Sequence, residues 1–192
     1  LDESIENFNE AIKINKNFYN AYHNRAVVKR LLFRFEDAIK DFDEALKINP
    51  KYFDSLFFKA ITQLKIGDYE NGWKNYEYRW ETTNFPSPKR KFVQPCWNGT
   101  DSLNDKIILL HGEQGLGDNI HFSRYFCLIK SKAKKTILQI DKKLVKLFKD
   151  SNFGNYIFSN DEELPNFDIH CPLLSLPYKF STTLNNLSLI HI

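Results

Sequence analysis

Lys106-Ile107-Ile108-Leu109-Leu110-His111-Gly112-Glu113-Gln114-Gly115-Leu116-Gly117-Asp118 runs from an apolar strand into a glycine-rich turn, and Asn119 onward reads as a helix. Strand, turn and helix in that order form the opening unit of an α/β sheet. Ligands in such sheets collect outside the carboxyl ends of the strands, where this turn lies. Downstream the texture keeps alternating. Thr136 to Ile140 reads as a second strand and Lys142 to Lys149 as a second helix. Tyr156 to Phe158 and Phe167 to His170 read as short third and fourth strands, and Pro172 to Pro177 as a turn or short helix. This alternation predicts a parallel sheet with helices on its faces.

Upstream the architecture changes. Shifted by 34 residues the chain matches itself: Phe8 falls on Phe42 and Tyr76, Ala11 on Ala45, Ile14-Asn15 on Ile48-Asn49, and Ala26 on Ala60. That is the tetratricopeptide period. Tyr19 to Tyr52 resembles one complete repeat, with Ala26, Ala38 and Ala45 where paired helices approach and Pro50 after the second helix. Phe33 occupies a slot that usually holds glycine. The following repeat decays, since Gly72, Arg79 and Asn84 replace the pattern's Ala, Ala and Pro. Such arrays bind partners along a concave face. Asn20, His23, Val27 and Arg30 are candidates to line it, although ordinary surface positions are the simpler explanation, and His23 reads as a solvated residue.

Composition narrows the function classes. The 192 residues carry 27 basic and 24 acidic side chains, a net charge of +3, which gives little reason to expect nucleic acid. Apolar content of 42% supports packed cores. Cys96, Cys127 and Cys171 lie far apart without C-x-x-C pairing, so free thiols are expected and no metal site. No apolar run approaches the ~20 residues of a membrane span, and a cytoplasmic protein is expected. The chain opens at Leu1 inside a repeat and is read as a fragment. The expected domains are repeats over 1–82, a stiff Pro-containing linker over 83–105 with a solvated Lys89-Arg90-Lys91 cluster, and an incomplete α/β domain over 106–192. Trp97 is expected at the junction of the two domains.

The turn itself matches neither common phosphate loop. Gly112 and Gly117 have P-loop spacing, but Asp118-Asn119 stands where Lys-Ser/Thr is required. Gly115 and Gly117 begin a dinucleotide fingerprint whose third glycine is Ile120. Asp118 reads as a helix N-cap, as a general base toward a hydroxyl, or as both. Glu113 and Gln114 are candidates to hydrogen-bond sugar hydroxyls, a role that ordinary exposure of polar residues explains equally, with Gly115 and Gly117 letting the backbone approach a ligand. Arg124 is expected to pair with Asp118 or Glu113.

Trp97-Asn98-Gly99, the strand from Lys106, Glu113 to Asp118, Arg124-Tyr125 and the block Phe167 to Pro177 together resemble bacterial tetratricopeptide proteins that carry a domain similar to the heptosyltransferases, glycosyltransferases of family 9 and the GT-B fold. The resemblance implies an α + α/β architecture, repeats followed by the first part of a Rossmann-like GT-B domain. It also implies a protein or glycan acceptor, a nucleotide-sugar donor for the intact enzyme, no other cofactor, and Asp118 as the base. The fragment alone is expected to be inactive. The alternative is a non-catalytic scaffold with an α/β binding module.

Overall fold

The computed structural model describes residues 1–83, 85–151 and 153–187. Asn84 and residues 188–192, both touched by the readings above, lie outside them. The chain divides into two compact units, Leu1–Phe85 and Pro86–Ile192.

The first unit is a stack of helices: α1 (Asp2–Ile14), α2 (Tyr19–Leu31), α3 (Phe35–Ile48), α4 (Phe53–Ile66) and α5 (Tyr69–Tyr76). The helix starts keep the 34-residue period, Tyr19 against Phe53 and Phe35 against Tyr69. Ala26, Ala38, Ala45 and Ala60 are wholly buried, because only a methyl group fits where neighbouring helices touch. Polar residues tie the stack as well. Asp41 of α3 accepts from Arg25 Nε at 2.8 Å and Nη2 at 2.6 Å, and from Lys29 Nζ at 2.7 Å, while Arg25 Nη1 reaches Asn9 Oδ1 of α1 at 2.6 Å.

The departures from the repeat have local causes. A Cβ at Gly72 would stand 2.7 Å from Leu64 Cδ2 and 3.1 Å from the Leu64 nitrogen, so α4 and α5 approach more closely than alanine permits. Arg79, in an alanine slot, is fully buried. Its guanidinium lies 4.6 Å from the Trp80 ring centroid and 5.2 Å from that of Tyr76, and donates to Glu77 at 2.9 Å. A side chain of that size does not fit the regular helix contact, and α5 passes into a 3-10 turn over Glu77–Glu81. Phe33 adopts φ 59, the left-handed helix ending that Gly67 (φ 88) takes one period later.

The second unit holds β1 (Ile107–His111), α6 (Leu116–Phe122), α7 (Tyr125–Lys130), β2 (Lys135–Ile140), α8 (Lys142–Asp150), β3 (Ile157–Ser159), β4 (Ile169–Pro172), α9 (Leu176–Lys179) and α10 (Leu184–Leu187). All strand pairs are parallel, in the order β3-β2-β1-β4. Ile108, Leu109, Leu110, Ile137, Leu138 and Ile140 are inaccessible, as in a sheet covered on both faces. The helix expected from Asn119 is broken in two. Ser123 Oγ turns back to the Ile120 carbonyl at 2.7 Å and competes with the helical pattern there.

Residues 83–105 are not one connector. Residues 83 and 85 belong to the helical unit, and 86–105 fold onto the α/β unit because Arg90, Phe92 and Trp97 each find partners in it. Trp97 is a core residue there: it is buried, and its indole Nε1 donates to the Asp101 carbonyl at 3.0 Å. The His170 nitrogen donates to the Pro95 carbonyl at 3.1 Å and the Trp97 nitrogen to the His170 carbonyl at 2.7 Å, so this stretch covers the β4 edge.

Candidate functional site

On the helical unit, the sequence pointed to Asn20, His23, Val27 and Arg30, all on α2. Asn20 is half-buried at the helix start. His23 is not solvated: only 7% of it is exposed, and its Nδ1 lies 2.8 Å from Ser55 Oγ on α4. Its ring packs against Tyr52 at 4.9 Å, Phe58 at 5.5 Å and Phe42 at 5.7 Å. Burial lowers its pKa against the smaller, opposing pull of Asp54, so the ring is held neutral. Val27 packs with Phe58 on the cluster of Ala26, Ala38 and Phe42. Arg30 places its guanidinium 5.3 Å from the Phe58 centroid, and desolvation lowers its pKa. His23 and Arg30 therefore both meet Phe58 of α4, at a seam between two helices. The repeat comparison could not flag Phe58, because one period earlier the slot holds Asn24.

The start of α4 is itself covered by the segment that ends the unit. Thr83 donates through its nitrogen and hydroxyl to the Asp54 carboxylate, at 3.3 and 3.1 Å. Phe85 meets Phe57 at 5.9 Å and Trp80 at 5.2 Å, and Tyr78 stacks on Phe53.

In the α/β unit the glycine turn opens at the carboxyl end of β1. Strand order reverses between β1 and β4, the place where open α/β sheets bind ligands. Gly115, not Asp118, is the N-cap of α6, and Asp118 is the third residue of that helix, half-buried. Asp118 does not line the cavity bordered by Arg124, Leu147 and Phe153, the one bordered by Trp97 and Lys179, or the one bordered by Thr136 and Tyr156. Arg124 precedes α7 and forms no ion pair with Asp118 among the described residues, although both act on His121. That imidazole's pKa is lowered by burial first and by Arg124 second, with Asp118 opposing. Glu113 and Gln114 are half-buried in the turn, and Gly115 and Gly117 face open space where a Cβ would stand.

Asn119 organises the turn. Only 2% exposed, it donates from Nδ2 to the carbonyls of Gln114 at 3.1 Å and Gly115 at 2.9 Å. A Cβ at Gly112 would lie 1.8 Å from its Oδ1, so Gly112 is required by this close approach. Sequence reasoning used Asn119 only as a mismatch to a P-loop and missed this role.

It also missed three rim residues. His111 of β1 and His170 of β4 face each other, Nε2 to Nδ1 at 3.2 Å, so one ring donates and the other accepts. Phe92 packs on both, at 5.4 and 4.9 Å. Burial lowers the pKa of His170 and favours a neutral ring. From the basic cluster Lys89 and Lys91 remain exposed, whereas Arg90 turns inward and donates to Gln139, to the Gly112 carbonyl and to Asn160. Ser87 donates to the Glu113 carbonyl. The stretch from Ser87 to Phe92 thus forms a strap along the carboxyl ends of β1, β2 and β3. The rim offers a hydrogen-bonded pair of imidazoles, the Glu113 carboxylate in the turn and one inward guanidinium, a set suited to holding a polar ligand and moving a proton.

Comparison with known proteins identifies a tetratricopeptide repeat over residues 19–52. Protein FlbA of Caulobacter vibrioides is 32% identical over 123 residues, 62% of this chain and 20% of that protein. The chain thus spans about a fifth of the length of the curated relative it matches. Among solved structures, the TPR2B domain of yeast Sti1 in its pHsp70 complex is similar at 24% identity and a TM-score of 0.38, covering 38% of this chain and 59% of that one. The N-terminal unit carries tetratricopeptide repeats, an architecture of protein–protein interaction, followed by a four-stranded parallel sheet with helices. No helix among the described residues is long and apolar enough to cross a membrane.

Proposed function

We propose that the repeats hold a protein or glycan acceptor and that the α/β unit is the acceptor-side part of a Rossmann-like, GT-B glycosyltransferase working in the cytoplasm. In the reaction, Asp118 takes the proton of an acceptor hydroxyl. The acceptor oxygen forms a new bond to the sugar's anomeric carbon, and the bond from that carbon to the nucleotide phosphate breaks, its electron pair leaving with the nucleotide. The observation that carries this reading is the position of the start of α6, Gly115 to Asp118, just after the carboxyl end of β1 and beside the reversal of strand order. Glu113, Gln114 and the glycines support contacts to acceptor hydroxyls, and Arg124 supplies positive charge nearby. Donor-site residues are not assigned in this chain, and the 192 residues alone are expected to be inactive.

The test is turnover of nucleotide sugars by the full-length protein with and without Asp118→Asn. A rate loss of about 100-fold or more is expected, the lower end for removal of a general base. Equal turnover removes Asp118 from the role. The scaffold reading draws on a different observation, the strap of Ser87 to Phe92 lying along the strand ends. Absence of turnover with every donor tried would leave that reading standing.

A further inference from the structure

Arg90 enters the rim and hydrogen-bonds only to neutral acceptors. Its three hydrogen bonds go to the Gln139 amide oxygen, the Gly112 carbonyl at 3.2 Å and the Asn160 amide oxygen at 2.8 Å. A guanidinium has five N–H donors, so two remain. Among the described residues no carboxylate forms an ion pair with it; Glu113 acts on it only from beyond ion-pair distance, and desolvation is the larger influence. The amide that receives it is aimed in advance, since buried Gln139 donates from Nε2 to the Ser159 carbonyl at 3.2 Å, which leaves Oε1 toward Arg90. Taking a cation out of water without a counter-charge is unfavourable unless something else compensates. In the α/β unit the fold does this for Arg90 where β1, β2 and β3 present their carboxyl ends, whereas Lys89 and Lys91 stay in solvent.

We infer that Arg90 is the anion-holding residue of a ligand site at the carboxyl ends of β1, β2 and β3, taking a phosphate or carboxylate group of the molecule that binds there. The guanidinium's planar fork suits either group. Gly112 serves the same site, because its carbonyl orients the guanidinium while its missing side chain leaves room for Asn119 to hold the turn. The inference deepens the proposed function by naming the ligand's charge, yet it does not require Asp118 to act as base. Anion binding without sugar transfer would keep it, and transfer without anion binding would remove it.

The experiment follows backbone amide signals of the 192-residue chain by NMR while inorganic phosphate, and in a separate arm sodium acetate, is added at constant ionic strength. Saturable shifts are expected at Gly112, Gln139 and Asn160 with at least one of the two anions. The stronger arm tells whether the ligand's group is phosphate or carboxylate. Arg90→Gln should weaken that binding about tenfold or more, as the loss of a charged hydrogen bond implies. Arg90→Lys should retain part of it, and the double change Lys89→Gln, Lys91→Gln should stay within about twofold. The inference is overturned if neither anion shifts those signals in the unaltered chain. It is equally overturned if Arg90→Gln binds as well as the unaltered chain, which would make Arg90 a latch for the strap, or if the lysine changes account for the loss. The titration of the unaltered chain decides the matter even if Arg90→Gln does not fold.

Discussion

Replacing Gly112 by alanine puts a methyl group where Asn119 Oδ1 now sits, 1.8 Å from the new Cβ. Asn119 is buried and short, so it must rotate away and lose its bonds to the Gln114 and Gly115 carbonyls. Two such bonds contribute about 2 kcal/mol together. Repacking around the added carbon costs about 1 kcal/mol more. Gly112→Ala is therefore expected to destabilise the α/β unit by about 3 kcal/mol. Asn119→Ala alone should cost about 2 kcal/mol, the bonds without the clash. In the double variant the methyl group has room and the bonds are already gone, so the cost should stay near 2 kcal/mol rather than the roughly 5 kcal/mol of additive behaviour. Hydrogen exchange at the Ile108, Leu109 and Leu110 amides reads this unit separately from the helices. A double variant as destabilised as the sum of the two single ones would refute the steric argument, because the two residues would then be energetically independent.

Other consequences are accessible to simpler measurements. Phe33→Gly should stabilise the helical unit by about 0.5–1 kcal/mol, since relief of the left-handed backbone (about 1–2 kcal/mol) exceeds the entropy of an added glycine. Phe33→Ala, which keeps the strain, should show no such gain in thermal melts. Asp41→Ala leaves Arg25 and Lys29 without their buried carboxylate and should cost about 3 kcal/mol in urea unfolding. His23 makes stability depend on pH. Its folded pKa lies below the ordinary 6.5, so its contribution is complete above that value. It is lost as pH falls through the interval beneath, where the unfolded ring takes up a proton that the folded ring refuses. Melts of His23→Gln should be flatter over that interval than those of the unaltered chain, and identical slopes would remove the argument.

Much of the architecture can be read directly from the residues. A 34-residue recurrence of aromatic and alanine positions marks helix starts because each repeat solves the same packing problem against its neighbour. The apolar runs Ile107 to Leu110 and Thr136 to Ile140 announce buried parallel strands because they alternate with helical segments. Boundaries were less legible. β4 begins at Ile169 because its register against Ile108 is a property of the pairing and not of its own residues. The division of residues 83–105 was hidden for the same reason.

The candidate site shows the division most clearly. The Gly115–Asp118 turn and its place after a strand were visible from local chemistry, since glycine and acid placement follow from backbone conformation within a few residues. The company those residues keep was not. That His23 would be sealed against Ser55 and Phe58, that Asn119 would occupy the space beside Gly112, and that Arg90 would leave its basic neighbours for Gln139 and Asn160 all depend on groups far away in the chain. Local periodicity determined the elements, because it is imposed by backbone geometry. Burial, hydrogen-bond partners and the solvation of individual charges were decided only when the tertiary structure brought distant segments together, because those energies belong to pairs that no single stretch contains.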